Sequence, residues 1–152
     1  MKAMIVLLAL LTVSFSARAE DTGDDVAVKN CLSNWRTNPF KGDKPEFRVI
    51  VSKVKVMGIG PDITDSTPTK APELVLIKPN VTVMAKTALH LMNPNGWYCL
   101  KASVAVLGKN AIDLACKAHL AFSNDGTTVM GDSNAKGGVT VLGGTQVNQV
   151  CN

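Results

Sequence analysis

Aromatic side chains make up only 5% of this 152-residue chain, with two Trp and a single Tyr, and there are two His. That is thin material for a base-stacking or cofactor-stacking surface. No two of the four Cys lie closer than 17 residues, the span from Cys99 to Cys116. The close spacing of a structural zinc site is therefore missing, and no metal or cofactor is expected. Charge is also sparse, at 18% with a formal net charge of +4. Lys and Arg are scattered along the chain, which argues against a nucleic-acid partner. The chain has one long apolar run, Ala3 to Val13, and it falls short of the roughly 20 residues a membrane span needs.

That run follows Met1-Lys2 and precedes Ala17-Arg18-Ala19, the pattern of an export signal with a small-x-small cleavage site. Cleavage is expected after Ala19, giving an organisation of 1–19 signal peptide, 20–53 acidic N-terminus, cap and first strand, and 54–152 repeated-strand domain. Removing Lys2 and Arg18 leaves 14 basic against 12 acidic groups. The mature chain is expected to carry no membrane span and to reside in the periplasm, at the cell surface or outside the cell.

Four Cys behind an export signal imply two disulfides. The favoured pairing is Cys99–Cys116, closing a short loop, with Cys31–Cys151 tying the ends. The competing pairing joins Cys116 to Cys151, which share a repeat position. It requires the copy that starts at Thr127 to be looped out.

That repeat is the main organising signal. Val-x-Val, then Met or Leu, then Gly or Ala, starts at Val54, Val81, Val104 and Val139, and returns without its first Val at Thr127. The intervals are 27, 23, 23 and 12 residues. Eight residues after three of these starts stand Leu89, Ile112 and Val147; nine residues after stand His90, Asp113 and Asn148. Such self-similarity resembles β-solenoids, whose units bury their apolar faces only by stacking. The expected fold is all-β, a short solenoid of about four rungs with an N-terminal cap; an antiparallel β-sandwich is the alternative. Gly after the phrase in four of five copies is read as the residue that lets each strand turn a corner.

Along the chain, Val26–Trp35 reads as a short helix or irregular cap. Glu46–Met57 carries the clearest period-two strand pattern. Residues 58–72 collect Gly, Pro, Asp and Thr and read as a long surface loop, where Asp62 and Asp65 are a weak cation pair. Asn80-Val81-Thr82 matches a glycosylation acceptor. Asn93-Pro94-Asn95-Gly96 is the strongest turn, with two further turns at 123–126 and 131–138. His119 sits in an apolar strand and reads as partly buried.

In-register stacking brings His90 beside Asp113, a common acid–base unit, and Lys86 beside Lys109. The plain reading is an outward polar ladder over inward Leu89, Leu91, Ile112 and Leu114. Trp97 and Tyr98 are either a sugar-stacking platform or, more simply, a core plug beside Cys99. Thr82, Thr128 and Thr140 are too irregular for an ice-binding face. Three functional readings follow. The first is a secreted or surface-exposed, non-enzymatic binding or structural protein with a protein or glycan partner. The second is a small carbohydrate-active enzyme using His90, Asp113, Lys86 and Lys109. The third is a self-assembling structural protein, a homo-oligomer built through open strand edges.

Overall fold

The computed structural model describes residues 23–51, 55–59, 63–78, 81–101, 104–123, 127–129, 139–141 and 143–151. The expected signal peptide, the Asn80 acceptor, Asp62 and the turns at 124–126 and 131–138 lie outside them. Among the described residues one helix, α1 (Gly23–Asn34), precedes twelve strands. These are β1 (Arg48–Ile50), β2 (Lys55–Ile59), β3 (Ile63–Asp65), β4 (Glu73–Ile77), β5 (Val81–Leu91) and β6 (Gly96–Leu100). They continue as β7 (Val104–Val106), β8 (Lys109–Ala115), β9 (His119–Phe122), β10 (Thr127–Val129), β11 (Val139–Val141) and β12 (Gly144–Val150).

The strands form two sheets. The smaller has the order β1-β4-β6-β9. The larger, of eight strands, follows β10-β11-β7-β5-β8-β12, with β2 and β3 also on β5. Every described pairing is parallel. The turn at 93–96 does not make a hairpin; it carries the chain from β5 in one sheet to β6 in the other, closed by Gly96 N–H donating to Asn93 O at 2.9 Å.

Both fold expectations are corrected. Parallel pairing throughout the described strands overturns the antiparallel sandwich. The regular four-rung solenoid is overturned on three counts. The strands divide between two separate parallel sheets. A helix stands where the cap was expected, so the chain is not all-β. The copies also depart from chain order, because the strand at 139–141 lies between those at 104–106 and 127–129. The physical reason lies outside the repeated phrase. The smaller sheet is built from β1, β4, β6 and β9, and its central strands are almost wholly buried. Strands covered on both faces read as continuous apolar runs with no period of two, so they carry no repeat signature of their own.

The core has two layers. Between the sheets, Val75, Ile77, Tyr98 and Leu100 meet Leu89, Leu91, Ile112 and Leu114. On the other face of the smaller sheet, Leu74, Leu76, Trp97 and Cys99 meet Ala27, Val28 and Cys31 of α1. The helix starts on Asp24 and Asp25, which suit its positive end. Asp24 also bridges Lys78 at 2.6 Å and Lys101 at 2.9 Å. The lysines, Lys78 first, hold its carboxyl below the usual carboxylate value. The short helix that the reading of Val26–Trp35 allows is present as α1, and it packs over β6 and the edge strand β9, where Asn34 Nδ2 donates to Phe122 O at 3.1 Å.

The disulfides are Cys31–Cys99 and Cys116–Cys151. The favoured pairing of Cys99 with Cys116 and Cys31 with Cys151 is overturned. The cause is visible in the larger sheet: β12 lies directly on β8, in register from Gly144↔Lys109 to Val150↔Ala115, and β10 is displaced to the outside of β11.

The corner residue also differs from expectation. Met57, Met84 and Leu107 take the left-handed conformation, with φ of 50°, 51° and 52°, so the strand turns one residue before the glycine position. All three side chains are exposed. The glycine is needed for closeness instead: a Cβ on Gly143 would lie 2.2 Å from Gly108 O.

Candidate functional site

β3, β5, β8 and β12 lie side by side, and their register sets one row across the larger sheet: Thr64, His90, Asp113, Asn148. Along β8 burial alternates strictly from Lys109 to Leu114, with Asn110, Ile112 and Leu114 inward. The row therefore faces out because Leu89, Leu91, Ile112 and Leu114 are held in the core. His90 Nδ1 lies 2.9 Å from Asp113 Oδ2, with side chains 38% and 32% exposed. The contact fixes the imidazole ring and sets a charged acceptor beside it. Asn148 and Thr64 at the ends are exposed.

Lys86 and Lys109 are register partners four residues before the His–Asp pair, and Lys109 is exposed. The Lys86 side chain lies outside the described residues. The surface presents donors, acceptors and a cation.

Trp97 and Tyr98 sit elsewhere. Trp97 is 7% exposed and packed edge-on by Trp35 and Phe40, with ring centroids 5.1 and 5.9 Å away. His119 stacks on it at 3.7 Å. Tyr98 is fully buried between the sheets. Neither ring presents a face to solvent. Burial pushes the His119 pKa below the usual histidine value. A base whose pKa is lowered by folding favours the fold when neutral, so this contribution is present above about pH 6.5 and lost as pH falls through the folded value. The His119 ring protons are therefore expected to titrate by NMR with a midpoint below that of an unfolded histidine. Trp emission is expected to fall over the same range as the stacked ring becomes cationic. A midpoint at or above the unfolded value contradicts desolvation of the ring.

One group of functional-looking residues was not legible in the sequence. Tyr98 Oη donates to Asp65 Oδ2 at 2.8 Å, Arg48 reaches Asp65 Oδ1 at 2.9 Å, and Arg48 Nε donates to Glu73 Oε1 at 2.8 Å. Buried Asn93 Nδ2 adds Glu73 Oε2 at 3.3 Å and Thr69 Oγ1 at 2.9 Å. Burial, then the Asp65 carboxylate, drives the Tyr98 pKa well above the usual phenol value. Tyr98 stays a neutral donor, so the network is a structural tie between β1, β3, β4 and β6. Asp65 is thereby engaged with Arg48 and Tyr98, and the 58–72 segment, expected as one loop, contains strand β3. A shallow cleft of about 610 Å³ opens beside this tie, lined by Phe40, Pro45, Phe47, Arg48, Pro72 and Glu73 among others.

No group of His, Cys, Asp and Glu among the described residues is arranged to hold a metal ion. No described helix is long and apolar enough to cross a membrane. No protein-family model, curated protein or solved structure matches the chain. The two disulfides are what an oxidising, exported environment favours.

Proposed function

We propose that the protein is exported to the periplasm or cell surface and acts there, without catalysis, as a binding module for a hydroxyl-rich or anionic glycan. The observation that carries this reading is the in-register outer row of Thr64, His90, Asp113 and Asn148, with the half-exposed His90–Asp113 pair at 2.9 Å. Neighbouring strands lie about 4.8 Å apart, so such a row offers donors and acceptors at regular spacing to an extended polymer. Exposed Lys109 beside the row favours one that carries carboxylates.

The test is calorimetric titration of the oxidised protein with neutral and uronate-containing oligosaccharides. Asp113→Ala is expected to weaken binding about tenfold, or ~1.4 kcal/mol, with the melting temperature unchanged because the side chain is outside the core. Absence of binding to any glycan class, or binding untouched by Asp113→Ala and Lys109→Ala, sinks the reading. The His–Asp contact also supports a second reading, a small carbohydrate-active enzyme in which the pair moves protons. Release of new reducing ends, abolished by Asp113→Ala, distinguishes it.

A further inference from the structure

We propose that two copies of the chain pair through the end of the fold made by β1, β2 and β3, as a closed two-fold dimer. β1 is the outermost strand of the smaller sheet, and β2 and β3 lie only on β5. Among the described residues, no strand or helix lies on their outer edges. The direction of the open groups follows from one bond. Lys78 N–H donates to Ile50 O at 2.9 Å, so the Ile50 carbonyl faces β4. Backbone groups alternate sides along a strand, so the N–H and C=O of Val49 face away from the sheet. An open edge of this kind is a template for another strand.

The opposite end is closed where β1 is open. Asn30 Nδ2 donates to Ser123 O at 3.2 Å and Asn34 Nδ2 to Phe122 O at 3.1 Å, so helix side chains occupy carbonyls at the end of β9. The Cys31–Cys99 bond fixes the helix there. In the larger sheet β10 and β12 are edge strands in their turn, so the contrast between the two ends lies in the smaller sheet. Head-to-tail stacking would press β1 against the β9 end whose carbonyls helix side chains already occupy. Open end against open end is the self-complementary match, and it closes after two copies.

Apolar exposure points to the same end. Val51 is 68% exposed, Met57 70% and Val49 40%, and all three lie in or beside β1 and β2. Charge does not oppose the contact. Arg48, the one charged residue of β1, is already held by Asp65 at 2.9 Å and Glu73 at 2.8 Å. A two-fold axis across the strands makes the new pairing antiparallel. Centred on Val49, it sets Arg48 opposite Ile50 of the second copy, with no like charges facing. The His90–Asp113 face lies on the flat of the larger sheet and stays open in this dimer.

The experiment is multi-angle light scattering across the micromolar range on the oxidised, full exported chain. The wild type is expected at twice the monomer mass at the upper end, dissociating on dilution. Val51→Lys sets a charge opposite Phe47 of the second copy, where an apolar contact is expected, and should raise the dimer dissociation constant about 100-fold. Val49→Pro removes an outward N–H without touching the bonds to β4 and tests the edge a second way. Asp113→Ala is expected to leave the dimer unchanged. A wild type that stays monomeric throughout overturns the proposal, as does mass that grows without limit, which marks head-to-tail stacking. A dimer indifferent to both Val51→Lys and Val49→Pro uses another surface and overturns it too.

Discussion

Replacing Cys31 and Cys99 together with serine is expected to cost about 4 kcal/mol of stability, read as a lower urea midpoint. The bond spans 68 residues, and freeing a loop of that length restores much chain entropy to the unfolded state. Both Cys are fully buried, so serine hydroxyls would also enter an apolar layer, where the Ala121 and Ala27 carbonyls lie 3.6 and 3.3 Å from the sulfur positions. The α1 helix has 12 residues, a length that is marginal alone in water, and it relies on this bond and on Ala27 and Val28 to stay docked. Undocking uncovers Trp97, so Trp emission should shift to the red below the global transition. The Cys116–Cys151 bond behaves differently under reductant. Both of its Cys are exposed, so mild reductant is expected to cleave it first, leaving Cys31–Cys99 intact until the fold opens. Reduction in the opposite order, or a serine double variant as stable as wild type, contradicts this account.

Gly143→Ala is expected to be the most damaging single methyl outside the two core layers. The added Cβ would sit 2.2 Å from Gly108 O and 3.0 Å from Gly108 N. Those are backbone atoms, so no rotamer change relieves the clash. The strands must separate, and with them go Gly144 N–H to Gly108 O at 3.1 Å and Leu107 N–H to Val141 O at 2.8 Å. A loss of about 3 kcal/mol is expected, at the upper end for overpacking. Gly42→Ala is the control. Gly42 has φ of +88° but nothing within 4 Å of a Cβ, so only backbone strain of about 1 kcal/mol is lost. Equal losses at the two positions, measured by thermal or urea unfolding, would remove close approach as the reason for glycine at 143.

The sequence was informative where a residue's neighbour is its own repeat equivalent. The offset from the phrase puts His90 opposite Asp113 and Asn148 because register in a parallel pair is carried by the apolar positions between them. The same offset aligns Cys116 with Cys151, and that pairing fails on paper only if the Thr127 copy is assumed to stack in turn. The sequence was uninformative in three places. Glu73–Ile77, Gly96–Leu100 and His119–Phe122 line up as Val75, Tyr98 and Leu120, yet the first two are buried on both faces and show no period from which to read a sheet. The corner fell on Met57, Met84 and Leu107, because a left-handed φ on a large apolar residue is not written in its side chain. The tie from Arg48 through Asp65 to Tyr98 joins residues with no shared pattern, and only the folded chain brings them together.

Burial of the Cys31–Cys99 bond has a consequence in time. Strands that pair in parallel across long intervals must close large loops before any contact rewards them, so assembly of these sheets is slow. A sulfur pair that ends fully enclosed beneath α1 is reachable by an oxidant only while that layer is still open. The long-span bond must therefore form during assembly, while that layer is still open. The outer bond at Cys116 and Cys151 has no such deadline and can be made, broken and remade in the finished protein.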